Sequence, residues 1–413
     1  MSMKKITLEL QNSLDKELSL MKNDFYYQQI EVNRAGKRNI VRLDVSFNPI
    51  GILGGDTYSI RKTVDGKVIF FILDAMGKGI SASITAATSA TLLNYIFDDM
   101  TAHGNFKFKR WINRYIDFVK NEILENEMLA VSFGYYNKKK GFFKQASFGM
   151  PVLLMQTFDE EFIKVKSNNA PISRYTDDFV IEKIDVKNIK KALFYTDGLC
   201  ESVIEDGKFY RDKMYKDFID SKSIIDFNTR VKENIAQRDD DILYLYIDSL
   251  EHNSDFIVKH VKPNMEDIDS IVFEISDYVK NSGAKPKEIS ELSLALSELM
   301  ANALEHGVFG LDKNTKNRLI NDGKFDIALA EYEKKYKDRE IIVKYIVKEE
   351  GGSKILVARI EDGGEGFDTK SLRNLVISSE YFNGRGVLII KKLLDRFYYN
   401  EKGNAITIRK FLS

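Results

Sequence analysis

The spacing of apolar and polar residues changes character along the chain. Over the first forty residues Leu14, Leu18, Met21 and Phe25 recur at steps of four, three and four, which places them on one face of a helix. Two heptads are too few for a coiled coil, so this segment reads as a docking or switch helix, or as a helix that pairs two copies of the chain. From Arg42 to about Leu250 the pattern shifts to short apolar or alternating runs between Gly and Asp: KVIFFILDAMG, LAVSFGYYN, FFKQASFG, KALFYTDG and DILYLYI. These predict strands. Between them ISASITAATSATLLNYIFDDM and FKRWINRYIDFVKNEILEN keep helical spacing, so a layered α+β domain with helices covering a sheet is expected. A polar connector, EHNSDFIVKHVKPNMED, leads to a second block of long helix, charged insertion, strands and a last helix. The predicted organisation is residues 1–40 as a helical segment, 41–250 as a first domain, 251–265 as a linker and 266–413 as a second domain. Leu311 to Glu340 holds fifteen charged residues in thirty, eight basic and seven acidic, and reads as a solvated helical insertion or a mobile lid.

A length of 413 residues agrees with two domains, and 44% hydrophobic residues with 5 prolines describe a folded chain. Lys+Arg and Asp+Glu both number 62, so no field of one sign is available to hold nucleic acid or an anionic membrane. No run approaches the roughly 18 to 20 apolar residues of a membrane span, and no signal-peptide core is present. The expected location is the cytoplasm. One cysteine, Cys200, makes no internal disulfide, and His103, His252, His260 and His306 lack metal-ligand spacing. Any metal chemistry therefore runs on carboxylates.

Four aspartates stand where an apolar strand gives way to a turn: Asp56 in GGDTYSI, Asp74 in FFILDAMGKG, Asp197 in LFYTDGLCES and Asp240 in RDDDILYLYI. Carboxylates gathered without histidine suit hard cations, magnesium or manganese, which activate water for attack on a phosphoryl group. An Asp-Gly after a strand is by itself more often a turn than a ligand. The glycines of DAMGKG, Gly77 and Gly79, are expected where the turn passes close to the metal ions ahead of a helix starting near Ser81 and side chains would obstruct it. Cys200 reads as packing, and Glu201 as an organiser of its loop.

In order and context the four segments resemble the PPM family of metal-dependent protein serine/threonine phosphatases, in its bacterial sporulation-phosphatase (SpoIIE-type) branch, over about Asp44 to Asp248. The resemblance implies a β-sandwich flanked by helices that holds two magnesium or manganese ions. It makes Asp56 and Asp74 the central ligands, Asp74 bridging the ions, with the Ala75 carbonyl as a further ligand and Asp197 and Asp240 completing the second ion. Asp239 or Asp241 could take the place of Asp240. No protein nucleophile is implied; an ion-activated water attacks. Two departures touch the substrate side: Ser147, Phe148, Gly149, Met150 and Pro151 stand where many relatives read Asn-Ala-Gly-His-Pro, and Leu243 stands for the usual Thr.

In the second block, KPKEISELSLALSELMANALEHG carries the apolar stripe Ile289, Leu292, Leu296, Leu299 and Ala303, with Pro286 in the first turn and Gly307 as the C-terminal stop. Glu298, Asn302 and Glu305 recur at i, i+4 and i+7 and share a second face. A solvated helix face is the plain reading of that trio. Two glycine turns follow, Asp362-Gly363-Gly364-Glu365-Gly366 after an apolar strand, and Gly384-Arg385-Gly386 before an amphipathic helix; such turns let backbone N–H groups approach phosphates.

Together the helix and the two turns resemble the GHKL (Bergerat) ATPase fold, an α/β sandwich, most closely its anti-sigma-factor serine kinase type, over about Glu266 to Leu412. The resemblance implies that Asn302 coordinates the magnesium of ATP and that Glu298 is the general base for the acceptor hydroxyl. Asp362 would bind the adenine amino group, Gly364 and Gly366 would make room for the nucleotide, and Gly384, Arg385 and Gly386 would belong to the phosphate loop and lid. His306 in the last turn reads as a cation offsetting the helix dipole. The two resemblances imply opposed serine phosphatase and serine kinase activities on a STAS-type anti-sigma-factor antagonist. Two other readings keep the phosphatase and make the second domain a nucleotide sensor, or a module that sequesters a sigma factor or another regulator. A homodimer stays compatible with all three.

Overall fold

The computed structural model describes residues 19–25, 28–34, 37–51, 53–122, 127–251, 256–350, 353–369 and 385–412. The chain divides into two units, one of Met1–Phe25 and Val32–Glu251, the other of Tyr26–Glu31 and His252–Ser413.

The first unit is built on two sheets. One runs in the order β3 (Asp56–Lys62), β4 (Val68–Ala75), β5 (Leu129–Asn137), β6 (Phe142–Phe148), β9 (Glu182–Asp185). The other runs β1 (Gln29–Arg34, of which Val32–Arg34 belong to this unit), β2 (Lys37–Asn48), β13 (Ile242–Glu251), β10 (Ile189–Tyr195), β7 (Leu153–Thr157), β8 (Phe162–Val165). A small ribbon pairs β11 (Val203–Ile204) with β12 (Ile235–Gln237). β4 reads VIFFILDA without polar alternation because both of its faces are covered. Ile69, Phe71 and Leu73 join a core under α1 (Ile80–Ala102) and α2 (Phe108–Glu122), while Phe70 meets Phe194 of β10 edge-on at 4.9 Å. Ala82, Ala86 and Ala90 give α1 a small-residue face against that core, and Trp111 of α2 fills the space beside it, its indole N–H donating to the Leu93 carbonyl at 3.0 Å.

The outer face of the second sheet carries Leu193, Tyr195, Tyr244 and Tyr246, packed with α3 (Asp197–Glu201), α4 (Arg211–Asp220) and α5 (Ile224–Asn234) through Leu199, Phe218 and Phe227. The result is a helix–sheet–sheet–helix sandwich, as the α+β reading predicts. Contrary to the sequence expectation, one helix among the described residues, α1, is long and apolar enough to cross a membrane, and half of that stretch is buried in this core.

Two sequence expectations change here. Residues 29–34 and 37–40 of the predicted helical segment are strands, not helix, and β2 runs on to 48 in the region expected to be strand-rich: QIEVNR and KRNIVRLDVSFN carry β-branched residues and alternate, and the pairing of β2 with β13 overrides a helical reading. Met21 and Phe25 of the predicted stripe are buried as expected, while Leu14 lies outside the described residues, as does Leu18. The segment holding Met21 lies along β3, with the Lys22 amide donating to Ser59 Oγ at 2.9 Å and Asn94 Nδ2 donating to the Leu20 carbonyl at 3.0 Å. Part of the predicted linker is likewise a strand, β14 (Ile257–Val261).

The second unit is an antiparallel sheet in the order β14, β15 (Ile341–Glu350), β16 (Ser353–Glu361), β18 (Ala405–Leu412), β17 (Arg396–Tyr399). α6 (Met265–Asn281), α7 (Pro286–Asn302) and α10 (Arg385–Leu393) share one core with it, in which Ile268, Leu292, Leu296, Val343, Ala358 and Ile408 are fully buried. Asn264 caps α6 through the Asp267 amide, and Pro286 opens α7 as the sequence predicts. The charged insertion forms two helices, α8 (Lys313–Asn321) and α9 (Phe325–Lys335), and α9 has no buried residue. Its base is fixed: Phe309 stacks on Tyr332 at 5.5 Å and on Tyr336 at 5.8 Å, and Arg339 donates to the Val308 carbonyl at 2.8 Å.

Two candidate active sites

In the first unit the strand ends gather the predicted aspartates. Asp56 opens β3 and stands opposite Asp74 of β4 in the antiparallel register. β10 delivers Thr196 and Asp197 from the facing sheet, and Thr196 Oγ1 donates to Asp56 Oδ2 at 2.7 Å. The same threonine is fixed to β13, its amide donating to the Leu243 carbonyl at 3.0 Å and its hydroxyl accepting from the Leu243 amide at 3.2 Å. Thr196 is thus a buried tie between the two sheets at the carboxylates, and the sequence reading passed over it. Replacing it with valine removes the hydroxyl while keeping the shape. Thr196→Val is expected to cost about 1–3 kcal/mol of stability by leaving Asp56 unsatisfied, read as a lower urea midpoint, and to slow metal-dependent phosphate-ester hydrolysis.

Among the three consecutive aspartates the roles separate. Asp241 is buried and fully engaged, Oδ1 accepting from the Ile50 amide at 2.7 Å and Oδ2 from the Gly55 amide at 2.6 Å. Asp239 lies at the exposed end, where its carbonyl accepts from Lys78 Nζ at 2.6 Å and its carboxylate from Gln237 at 3.0 Å. Asp240 is half-exposed, with Lys78 Nζ 3.5 Å away. Burial first, then the charge and hydrogen bond of Asp197 and the charges of Asp240 and Asp241, push the Asp74 carboxyl up to about 8. Burial also holds Asp56 well above its ordinary value, reinforced by Asp74 and opposed by the Thr196 hydroxyl.

Among the described residues no three carboxylate, imidazole or thiol groups converge closely enough as they stand to hold an ion. The donor chemistry nevertheless fits hard cations: Asp56, Asp74, Asp197 and Asp240 offer oxygen alone, and their mutual repulsion is what divalent ions relieve. Cys200 is no ligand. Its thiol is buried, donates to the Asp197 carbonyl at 3.3 Å and is pushed up by burial, while Glu201 pairs with Arg211 at 3.4 Å at the surface.

Gly77 and Gly79 have φ of 96° and 76°, a left-handed backbone that favours glycine, and no protein atom lies within 4 Å of a Cβ placed on either. The crowded positions are others. A Cβ at Gly198 would stand 2.0 Å from the Asp241 carbonyl oxygen, and one at Gly54 2.8 Å from Asp241 Oδ2. At Gly55 it would stand 3.4 Å from the Ala75 carbonyl oxygen. Of the two departures, Ser147 is buried against Ser132 and Asn168, and Leu243 is buried with its backbone on Thr196.

In the second unit Glu298 and Asn302 meet on α7, Asn302 Nδ2 donating to Glu298 Oε1 at 3.3 Å. Glu305 does not join them as the spacing implied. After Asn302 the helix widens into a π-turn, Ala303–Val308, which shifts the register and buries Glu305 in an ion pair with Lys316 of α8. Gly307 is not a helix stop but a point of close approach, since a Cβ there would lie 2.3 Å from Asp362 Cγ. His306 Nδ1 is hydrogen-bonded with the Leu311 carbonyl at 2.5 Å.

Asp362 follows β16, and its Oδ1 accepts from the Gly364 amide at 2.7 Å. Burial pushes this carboxyl up to about 6, with the Gly364 N–H and the Lys402 charge opposing. Gly364 and Gly366 make room for the chain itself: a Cβ at Gly364 would lie 2.5 Å from the Gly307 carbonyl oxygen, and one at Gly366 1.9 Å from that of Lys402. Arg385 and Gly386 open α10 as predicted, and Gly384 lies outside the described residues.

Residues 64–249 match the family model described as Stage II sporulation protein E (SpoIIE), and residues 261–410 match the Histidine kinase-like ATPase domain. The first match contains Asp74, Ala75, Asp197 and Asp240; Asp56 precedes it. The second contains Glu298, Asn302 and Asp362. No curated protein matches the chain. Among solved structures, the RsbU and RsbW domains of a Mycobacterium tuberculosis protein are 15% identical, covering 93% of this chain and 94% of that one with a TM-score of 0.46. The SiaA-PP2C domain of Pseudomonas aeruginosa is 14% identical over 59% of this chain and 97% of that one, TM-score 0.48. The SpoIIE phosphatase domain of Bacillus subtilis with a fragment of its regulatory domain is 18% identical over 50% and 63%, TM-score 0.42.

Proposed function

We propose, for a chain that joins a SpoIIE-type phosphatase domain to a histidine-kinase-like ATPase domain, that the two units carry out opposed reactions on the serine of one STAS-type anti-sigma-factor antagonist. The observation that carries the phosphatase half is the set of carboxylates mounted on strand ends at one edge of the sandwich, Asp56 opposite Asp74 and Asp197 brought from the other sheet. Asp56, Asp74, the Ala75 carbonyl, Asp197 and Asp240 would hold two magnesium or manganese ions, which when bound activate water and neutralise phosphoryl charge. Asp241 stays outside that set, because backbone amides occupy both of its oxygens. Its work is to fold the loop at Ile50 and Gly55 against the site, as Thr196 fixes Asp56.

The kinase half rests on Glu298 and Asn302 one turn apart on α7, with Asp362 half-buried close to Gly307 of the π-turn that follows. The acceptor serine oxygen bonds to the γ-phosphorus of ATP as the bond to the β,γ-bridging oxygen breaks; Glu298 takes the hydroxyl proton and ADP leaves. Asn302 orients Glu298 through its side-chain amide and would hold the magnesium that accompanies ATP.

Removal of divalent metal tests the first half. The full chain is expected to hydrolyse p-nitrophenyl phosphate with manganese or magnesium, to stop in EDTA and to resume when metal is restored. Hydrolysis that persists unchanged in EDTA would contradict the assignment.

A further inference from the structure

The loop that carries Asp362 is held by a turn that neither glycine motif includes. β17 and β18 are joined by Asn400, Glu401, Lys402, Gly403 and Asn404, and Asn400 and Asn404 are each only 7% exposed. Asn400 Oδ1 accepts three backbone amides, from Gly403 at 2.8 Å, Asn404 at 3.1 Å and Ala405 at 3.2 Å. Three donors on one oxygen fix which way the amide points. Its Nδ2 must then face Asn404, and it donates to Asn404 Oδ1 at 2.9 Å. That bond fixes the second amide in turn, leaving Asn404 Nδ2 to donate to the Gly364 carbonyl at 3.3 Å. Lys402 Nζ donates to the same carbonyl at 2.7 Å, and the Asn404 carbonyl accepts from the Asp362 amide at 3.1 Å. Both ends of the Asp362–Gly364 turn therefore hang on this hairpin.

We propose that Asn400 is a positioning residue for the nucleotide: through Asn404, and with Lys402 beside it, it sets the Gly364 carbonyl and so the direction in which Asp362 presents its carboxylate to the base. This rests on the reading that Asp362 binds the adenine amino group. The hydrogen-bond polarity along the chain of amides gives a sharp substitution. Asn400→Asp keeps an acceptor for the three backbone amides, so the turn can form, but it sets an oxygen against Asn404 Oδ1. Asn404 then turns its amide over and points an oxygen at the Gly364 carbonyl, which pushes the loop out of place.

The test is calorimetric binding of ADP and of inosine diphosphate, which lacks the amino group, to the full chain. Wild type is expected to prefer ADP. In Asn400→Asp the ADP affinity falls about tenfold or more, inosine diphosphate changes little, and the preference collapses, which a general loosening of the domain would not produce. Should Asn400→Asp fail to fold, judged by its thermal transition, Lys402→Met leaves both asparagines in place and is expected to reduce the preference several-fold. A folded Asn400→Asp that keeps wild-type affinity and preference overturns the proposal, as does Lys402→Met without effect where the first variant does not fold. Wild type that binds both diphosphates equally contradicts the Asp362 reading itself, and the proposal falls with it.

Discussion

Asp74→Asn is expected to reduce phosphatase turnover at least a thousandfold while making the metal-free protein more stable. The two effects have one origin. Asp74 lies among Asp56, Asp197, Asp240 and Asp241, and burial with like charge lifts its carboxyl from 3.8 to about 8. A carboxyl raised in the folded state binds its proton more tightly there than in the unfolded chain. Between roughly pH 4, the unfolded value, and about 8, the folded one, the metal-free wild type therefore loses stability as pH rises, because the unfolded chain releases its proton while the folded state still holds it. Asparagine has no charge to bear. In EDTA at pH 8 the variant should melt several degrees above wild type, on the order of 5 °C for a small gain in free energy. Manganese should invert the order, raising wild type and leaving the variant nearly unmoved. Melting curves at pH 5 and pH 8, with and without metal, check all three statements. A variant that melts below wild type in EDTA at pH 8 would contradict the electrostatic account.

Glu298→Gln carries the second large effect. It keeps the side chain's shape and its contact with Asn302, but an amide takes no proton from the acceptor hydroxyl. Transfer of phosphate to serine should fall by about 10²–10⁴-fold, whereas ADP affinity should stay within about twofold, since Glu298 acts on the acceptor and not on the nucleotide. Single-turnover transfer from radiolabelled ATP, measured beside equilibrium ADP binding, separates the two. A parallel loss of both would place Glu298 in nucleotide binding instead.

Much of the architecture was legible because it rests on local chemistry. An unbroken apolar run such as VIFFILD ahead of a turn reads as a covered strand, and the position of Asp74 at its end needs no further information. Pro286 and the stripe from Ile289 to Leu299 likewise announce α7. What remained hidden depends on partners distant in sequence. Thr196 looks like one more strand-end residue until β3 and β10 are brought together and its hydroxyl reaches Asp56. Asp240 and Asp241 are neighbours with the same side chain, and only the loop at Ile50 and Gly55 distinguishes them. The face shared by Glu298, Asn302 and Glu305 assumes an unbroken α-helix; a π-turn changes the residues per turn and hands Glu305 to the insertion. The glycines make the same point, since Gly198, Gly307 and Gly366 are required by backbone or side chains that arrive from elsewhere.

The central claim is that two opposed activities act on one serine, and intact mass reads it directly. A purified STAS-type antagonist is incubated with ATP, magnesium and manganese, and with either wild-type protein or Asp74→Asn. The account predicts that the variant drives the antagonist to the singly phosphorylated mass while wild type holds that fraction lower. An antagonist that stays unphosphorylated with the variant, although a control kinase modifies it under the same conditions, would contradict the account.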